Sequence, residues 1–219
     1  MSAYRIFLDT ADVAQIKDAV GTGLIDGIAT NPQKVAQSGK SYRQVVEEIR
    51  KFFDGPIAVQ AVGWTTDEIC QCARRLHLID PLLAIKITAN KAGLAAVKIL
   101  VPEGVRTNAT LMFNPTQALL AGLAGSPFIS PFIGRARMCG YDGIETIRKM
   151  RQLLDAFDLK KTVLIAASIK DVEQVIDSIL AGAHAVAIPF NVFEAMCDHP
   201  LTGQGLDAFI DDYQKIPQT

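Results

Sequence analysis

Short apolar runs alternate with longer amphipathic stretches along the whole chain. Tyr4–Leu8 reads as a strand and Ala11–Val20 as a helix, then Ile25–Ala29 and Ser41–Phe53 repeat the pair. Ile57–Val62 precedes a helix at Thr66–Leu76, Leu82–Ile87 one at Ala92–Leu100, and Val105–Leu111 one at Pro115–Ala124. Phe128–Ile133 leads to Ile144–Phe157, Thr162–Ala167 to Val172–Ala181, and Ala185–Pro189 to Val192–Cys197. A last helix, Leu206–Tyr213, stands outside these eight strand–helix units and carries Leu206, Phe209, Ile210 and Tyr213 at helical spacing.

Strands alternating with helices imply parallel pairing through right-handed crossovers. Eight units fit a closed α/β barrel, the (β/α)8 or TIM barrel, with an additional C-terminal helix. An open doubly wound sheet is the alternative, but it usually carries a Gly-rich phosphate turn after its first strand. Here that turn is Leu8-Asp9-Thr10-Ala11-Asp12, without glycine. Residues 1–219 are therefore read as one barrel domain, with 204–219 as a C-terminal extension used in subunit contacts.

The composition fits an ordinary globular protein: 49% of the 219 residues are hydrophobic and 21% charged. A formal net charge of −1 argues against nucleic-acid or anionic-membrane partners held by bulk electrostatics. No apolar run reaches the ~18 residues of a membrane span, and the apolar stretch after Met1 is too short for a signal-peptide core. Cys70, Cys72, Cys139 and Cys197 are too few for a disulfide scaffold, and Cys70-x-Cys72 has no second pair with which to bind zinc. A reduced, cytoplasmic protein is expected.

Barrel enzymes place their chemistry at the C-terminal ends of the strands. Asp9, Asn31, Gln60, Lys86, Thr110, Arg135 and Ser168 all fall at or near those ends; Arg5 and Arg106, at opposite ends, break the pattern. Lys86 is the most informative. If Leu83, Ile85 and Ile87 face the helices, Ala84, Lys86 and Thr88 face the interior, where desolvation frees an amine able to form a Schiff base with a carbonyl. The competing reading is a structural lysine paired with Asp9 or another carboxylate. Asp9 or Thr10 could cap the first helix, and Asn31-Pro32 could be only a turn or helix start. Ser168-Ile169-Lys170-Asp171 fits a variant capping box, which makes Ser168 a cap and its helix start an anion site. Arg135 and Arg137 are nearby cations. Trp64 could line the mouth or simply pack, and His77, His184 and His199 read as structural.

Leu8-Asp9-Thr10-Ala11-Asp12 and Ala29-Thr30-Asn31-Pro32 resemble the opening motifs of transaldolases, and Ile85-Lys86-Ile87-Thr88 resembles the strand that carries their Schiff-base lysine. The resemblance continues through Thr107-Asn108-Ala109-Thr110-Leu111, Gln117–Ala121, Ile129–Arg135 and Ala166–Lys170, in the same order. The short length is similar to the small transaldolase and fructose-6-phosphate aldolase branch. The resemblance implies a class I mechanism with no metal or cofactor, in which Lys86 attacks a ketose carbonyl and keeps a three-carbon enamine. Asp9 and Asn31 would hold its hydroxyls, Gln60 and Thr110 a proton-relaying water, Ser168 the bound fragment, and Arg135 a distal phosphate. It also implies a homo-oligomer, a pentamer or decamer, and a sugar phosphate or related anionic ketose as partner.

The chain departs from that pattern at named positions. Transaldolases carry glutamate where this chain has Gln60; the aldolase branch has glutamine there but tyrosine where this chain has Phe132. Thr88 stands at a usual proline, Gln33-Lys34 replaces a serine–aliphatic pair and puts a cation near the mouth, and Gly63-Trp64-Thr65 is also unusual. Phe132 cannot donate a proton to the enamine, so transfer is expected to exceed net cleavage, from a phosphorylated or sulfonated ketose. Release of free dihydroxyacetone by an aldolase, a phosphosugar isomerase using Lys86 only electrostatically, and a catalytically silent binding protein are the alternatives.

Overall fold

The computed structural model describes residues 6–217. The strands are β1 Ile6–Asp9, β2 Gly27–Ala29, β3 Ile57–Gln60, β4 Ala84–Thr88, β5 Thr107–Met112, β6 Phe128–Pro131, β7 Val163–Ala166 and β8 Ala185–Ile188. Between them run α1 Val13–Gly21, α2 Pro32–Gln37, α3 Tyr42–Arg50, α4 Thr66–His77, α5 Lys91–Leu100 and α6 Pro115–Leu123. Then follow α7 Ile133–Met138, α8 Gly143–Ala156, α9 Val172–Leu180, α10 Phe190–Cys197 and α11 Pro200–Tyr213. The eight strands pair in parallel in chain order and close into one barrel, β8 against β1.

Alternation along each short strand divides the core in two. Leu8, Ile28, Val59, Ile85, Ile87, Ile129, Leu164 and Val186 turn outward and pack with the helices in one large cluster. Phe7, Ala29, Ala58, Ala84, Phe128, Ile165, Ala185 and Ala187 form a second, smaller cluster. Most of these are alanine, so the barrel is filled chiefly by the Phe7 and Phe128 rings, packed edge to face at 6.3 Å. Gly27 makes room for them: a Cβ there would lie 2.3 Å from the Phe7 ring. Ala84 joins the inner cluster while Leu83, Ile85 and Ile87 join the outer one, as the strand pattern predicts.

Side-chain caps start most of the helices. Ser41 with Gln44, Thr65 with Glu68, and Asn114 with Gln117 each form a reciprocal capping box. Three differences from the sequence reading bear on the site. Two six-residue helices, α2 and α7, occupy segments read as connections or strand ends. Strand six stops at Pro131, and Phe132 makes only an isolated bridge to Ala167. The last helix starts at Pro200 rather than Leu206, because His199 caps it and Pro200 pre-sets its first turn. The first expected strand begins at Tyr4, outside the described residues, as is Arg5. No helix is long and apolar enough to cross a membrane among the described residues.

Candidate active site

Lys86 lies in the middle of β4, in register with Gln60 of β3 and Asn108 of β5. Inward alternation buries it to 6% exposure, and its Nζ donates to the Thr30 main-chain carbonyl at 3.1 Å. Among the described residues it makes no ion pair. Burial pushes the amine below lysine's ordinary range; the Asp9 carboxylate opposes this and the Lys34 ammonium adds to it.

A cavity of about 260 Å³ opens above Lys86, lined among others by Asp9, Asn31, Phe132, Arg135 and Ser168. The structure thus brings six of the eight sequence-predicted residues to one wall. Gln60, beside Lys86 on β3, and Thr110, beside Thr88 on β5, do not line the cavity. Gln60 Nε2 donates to the carbonyls of Ala61 and Lys86 at 2.9 and 3.0 Å, and Thr110 Oγ1 donates to that of Ser130 at 3.2 Å. Two further liners, Asn108 and Ser130, were missed as site residues: Ser130 Oγ donates to Asn108 Oδ1 at 2.8 Å, leaving the Asn108 amide nitrogen free to donate. Their positions one and two strands from Lys86 follow from the barrel register, which a reading of separate strands does not supply.

Local hydrogen bonding settles the capping alternatives. Asp12 caps α1, its Oδ1 accepting from Ala14 N at 2.8 Å; Asp9 and Thr10 do not cap it, and Thr10 bonds Gln15 instead. Asn31 does cap α2, accepting from Lys34 N at 3.0 Å, which still leaves its amide nitrogen as a donor. Ser168 is not a cap. Asp171 sits next to α9 and accepts from both the main-chain and side-chain nitrogens of Gln174 at 2.8 Å, so the shorter-range carboxylate takes the role. The anion site expected at a Ser168 helix start is therefore not there. Ser168 instead adopts a left-handed backbone with φ of 62°, uncommon for a side-chain-bearing residue.

The cations cluster on this cavity. Arg135 projects from α7, its guanidinium 5.3 Å from the centre of the Phe132 ring, and Lys170 lines the same space. Neither makes an ion pair among the described residues. Gly134 lets α7 approach the Ser168 segment: a Cβ there would lie 2.0 Å from the Ser168 carbonyl oxygen. Arg137 turns away to a separate recess with Tyr141, Asp142 and Glu173. Trp64 is 92% exposed and lines none of this. A larger recess of about 770 Å³ between α1, α2 and α10 shares Asp9, Lys34 and Pro189 with the cavity, but Lys86 opens only into the smaller one.

A small, cation-rimmed cavity over a buried lysine without an ion pair thus sits at the end of the barrel where such folds place their chemistry. The family model for Transaldolase/Fructose-6-phosphate aldolase matches residues 6–219. A "Probable transaldolase" of Herpetosiphon aurantiacus is 42% identical over 97% of this chain and 96% of its own length. One of Clostridium perfringens is also 42% identical, over 96% of this chain and 98% of its own, and one of Dictyoglomus turgidum 37%, over 98% and 100%. The chain belongs to the transaldolase/fructose-6-phosphate aldolase family, and it is a transaldolase-like enzyme. A solved structure described as the Amycolatopsis orientalis BexX/CysO complex shares the fold alone, with a TM-score of 0.61 at 16% identity over 84% of this chain and 79% of that one.

Proposed function

We propose that the enzyme transfers a dihydroxyacetone unit from a ketose with an anionic tail, fructose 6-phosphate or a sulfonated analogue, to an aldehyde acceptor through a Lys86 enamine. The observation that carries this reading is the Lys86 amine itself: buried, without a carboxylate partner, and open to a cavity whose other side chains include Arg135 and Lys170. Burial favours the neutral, nucleophilic form of such an amine.

The neutral amine adds to the ketose C2 carbonyl, and loss of water gives an iminium. The hydroxyl at C4 loses its proton, the C3–C4 bond breaks, and its electron pair neutralises the iminium as an enamine. The aldehyde departs with its tail. In transfer, the enamine carbon attacks the acceptor aldehyde, whose oxygen takes up a proton; water then releases the new ketose and restores the amine. In cleavage, the enamine carbon is protonated and hydrolysed to free dihydroxyacetone.

Asp9 and the free amide nitrogen of Asn31 hold the hydroxyls of the three-carbon fragment. Ser168 contacts that fragment, and Arg135, with Lys170, receives the anionic tail. Gln60 and Thr110 position the proton-carrying water; each keeps acceptor capacity after donating to main-chain carbonyls, two for Gln60 and one for Thr110. Phe132 supports transfer over release, because a phenyl ring on the cavity wall has no proton to give the enamine. The names of the relatives agree with that preference.

The protein works in the cytoplasm, a reading supported by four free thiols among the described residues. It forms a ring-like homo-oligomer, a pentamer or decamer, through the 204–219 extension. Support comes from α11, which contains no buried residue and exposes Leu201, Leu206, Phe209, Ile210 and Tyr213. To test the preference for transfer, free dihydroxyacetone is measured against transferred ketose with glyceraldehyde 3-phosphate present. Transfer is expected to dominate. Phe132→Tyr should raise release and Gln60→Glu should raise transfer, each within the ~10²–10⁴-fold range of a general acid–base group. Dihydroxyacetone as the main wild-type product would replace transfer by the aldolase reading.

A further inference from the structure

Two lysines act on the Asp9 carboxylate, and only one pairs with it. Lys34 Nζ lies 2.7 Å from Asp9 Oδ2 and also donates to the Asp9 main-chain carbonyl. Lys86, whose amine also feels the Asp9 charge, donates instead to Thr30. The second carboxylate oxygen, Asp9 Oδ1, is shielded from solvent and accepts no hydrogen bond among the described residues. The pair is about three-quarters buried, at 26% and 21% side-chain exposure, so it escapes most of the screening that weakens surface pairs.

Lys34 is held in place by its own helix. Asn31 accepts from its main-chain nitrogen, Pro32 fixes the first turn, and buried Val35 anchors the next residue in the outer core. The side chain thus crosses from a rigid α2 to the end of β1. Around Lys86, β3 and β5 present neutral Gln60 and Asn108, β1 presents Asp9, and α2 presents Lys34; Arg135 and Lys170 share the cavity.

We propose that Lys34 is a positioning residue for the Lys86 chemistry: it clamps Asp9 at both its main-chain carbonyl and its carboxylate and so keeps the carboxylate from pairing with Lys86. This rests on the reading of Lys86 as the nucleophile. Without the clamp, Asp9 is free to turn toward Lys86. An ion pair there favours the ammonium over the amine and slows imine formation on the acid side.

The test follows borohydride-trapped adduct on the intact protein by mass spectrometry, as a rate against pH with dihydroxyacetone. Lys34→Met and Lys34→Gln both remove the charge, so a folding failure of one leaves the other. Either should move the acid limb up by about one pH unit, about a tenfold slower trapping on that limb. Lys34→Arg, which keeps the charge and two donors, should leave the limb in place. Adding Asp9→Asn to Lys34→Met should return it, since no carboxylate remains to pair. Superimposable profiles for wild type and the uncharged variants, with adduct still forming, would overturn the clamp while leaving the nucleophile intact. No adduct in wild type would overturn the Lys86 reading beneath it.

Discussion

Two buried or half-buried lysines at one strand end have different fates because their neighbours differ. Lys34 has a carboxylate within 2.7 Å, whereas Lys86 donates to a main-chain carbonyl and is flanked on its neighbouring strands by neutral Gln60 and Asn108. The sign of the consequence for stability follows from proton counting. The folded state depresses the Lys86 pKa, so between that value and lysine's ordinary ~10.4 the unfolded chain binds more protons, and stability rises with pH. Lys86→Met should therefore melt higher than wild type near neutral pH, and the gap should close as pH climbs toward the ordinary lysine range; thermal scans across pH read this. Arg135 is argued from its seat against Phe132 beside the cavity. Replacing it with Ala should raise KM for a phosphorylated ketose about 10- to 150-fold, the worth of a charged hydrogen bond of ~1.5–3 kcal/mol, with little change for dihydroxyacetone. Equal losses for the charged and neutral substrates would make Arg135 structural. Lys86, Asp9 and Asn31 were legible in the sequence because polar residues at strand ends stand out against apolar runs. The Asp9–Lys34 pairing was not, since 25 positions separate partners that meet only once α2 folds back over β1.

Elements with strong local signals were legible and short ones were not. Of the helices with reciprocal capping boxes, α3 and α6 lie within the segments their patterns predict and α4 runs one residue past its own, to His77. Helices α2 and α7 span six residues each, less than two turns, too short to show an amphipathic period. Helix α7 also has Phe132 at its N-cap position, which makes no side-chain cap bond, so it had no start signal to read. Its position depends on Gly134 lying against the Ser168 carbonyl, and Arg135 follows directly in the chain. Gly134→Ala should push α7 and the Ser168 segment apart, lowering affinity for anionic ketoses more than it lowers melting temperature. Gly27→Ala should do the opposite. It drives a methyl into the Phe7 ring, which packs on Phe128 in the barrel core as well as lining the cavity, a strain of ~1–3 kcal/mol read in chemical denaturation as a stability loss that outweighs any loss of affinity.

At the scale of the molecule, the eightfold rhythm of the sequence and the closed parallel barrel agree: strand–helix alternation fits a closed or an open parallel sheet, and the count of eight units with no Gly-rich turn after β1 favours closure. What that rhythm leaves open is which residues meet across strands, as Asn108 and Ser130 do beside Lys86. The proposed assembly is argued at this scale too. Helix α11 presents Phe209 at 73% and Ile210 at 47% exposure with no buried residue of its own to hold it down. Phe209→Asp with Ile210→Asp should shift light scattering from a multiple of the 23.7 kDa chain toward the single chain; a wild-type monomer at micromolar concentration would reject the assembly. The account stands most directly on one covalent bond, between Lys86 Nζ and a ketose carbon. Wild-type protein treated with fructose 6-phosphate and borohydride should gain one reduced three-carbon adduct, mapped by peptide mass spectrometry to Lys86, and Lys86→Arg should gain none because arginine stays protonated at working pH. An adduct on another lysine, or turnover that persists in Lys86→Arg, would contradict it.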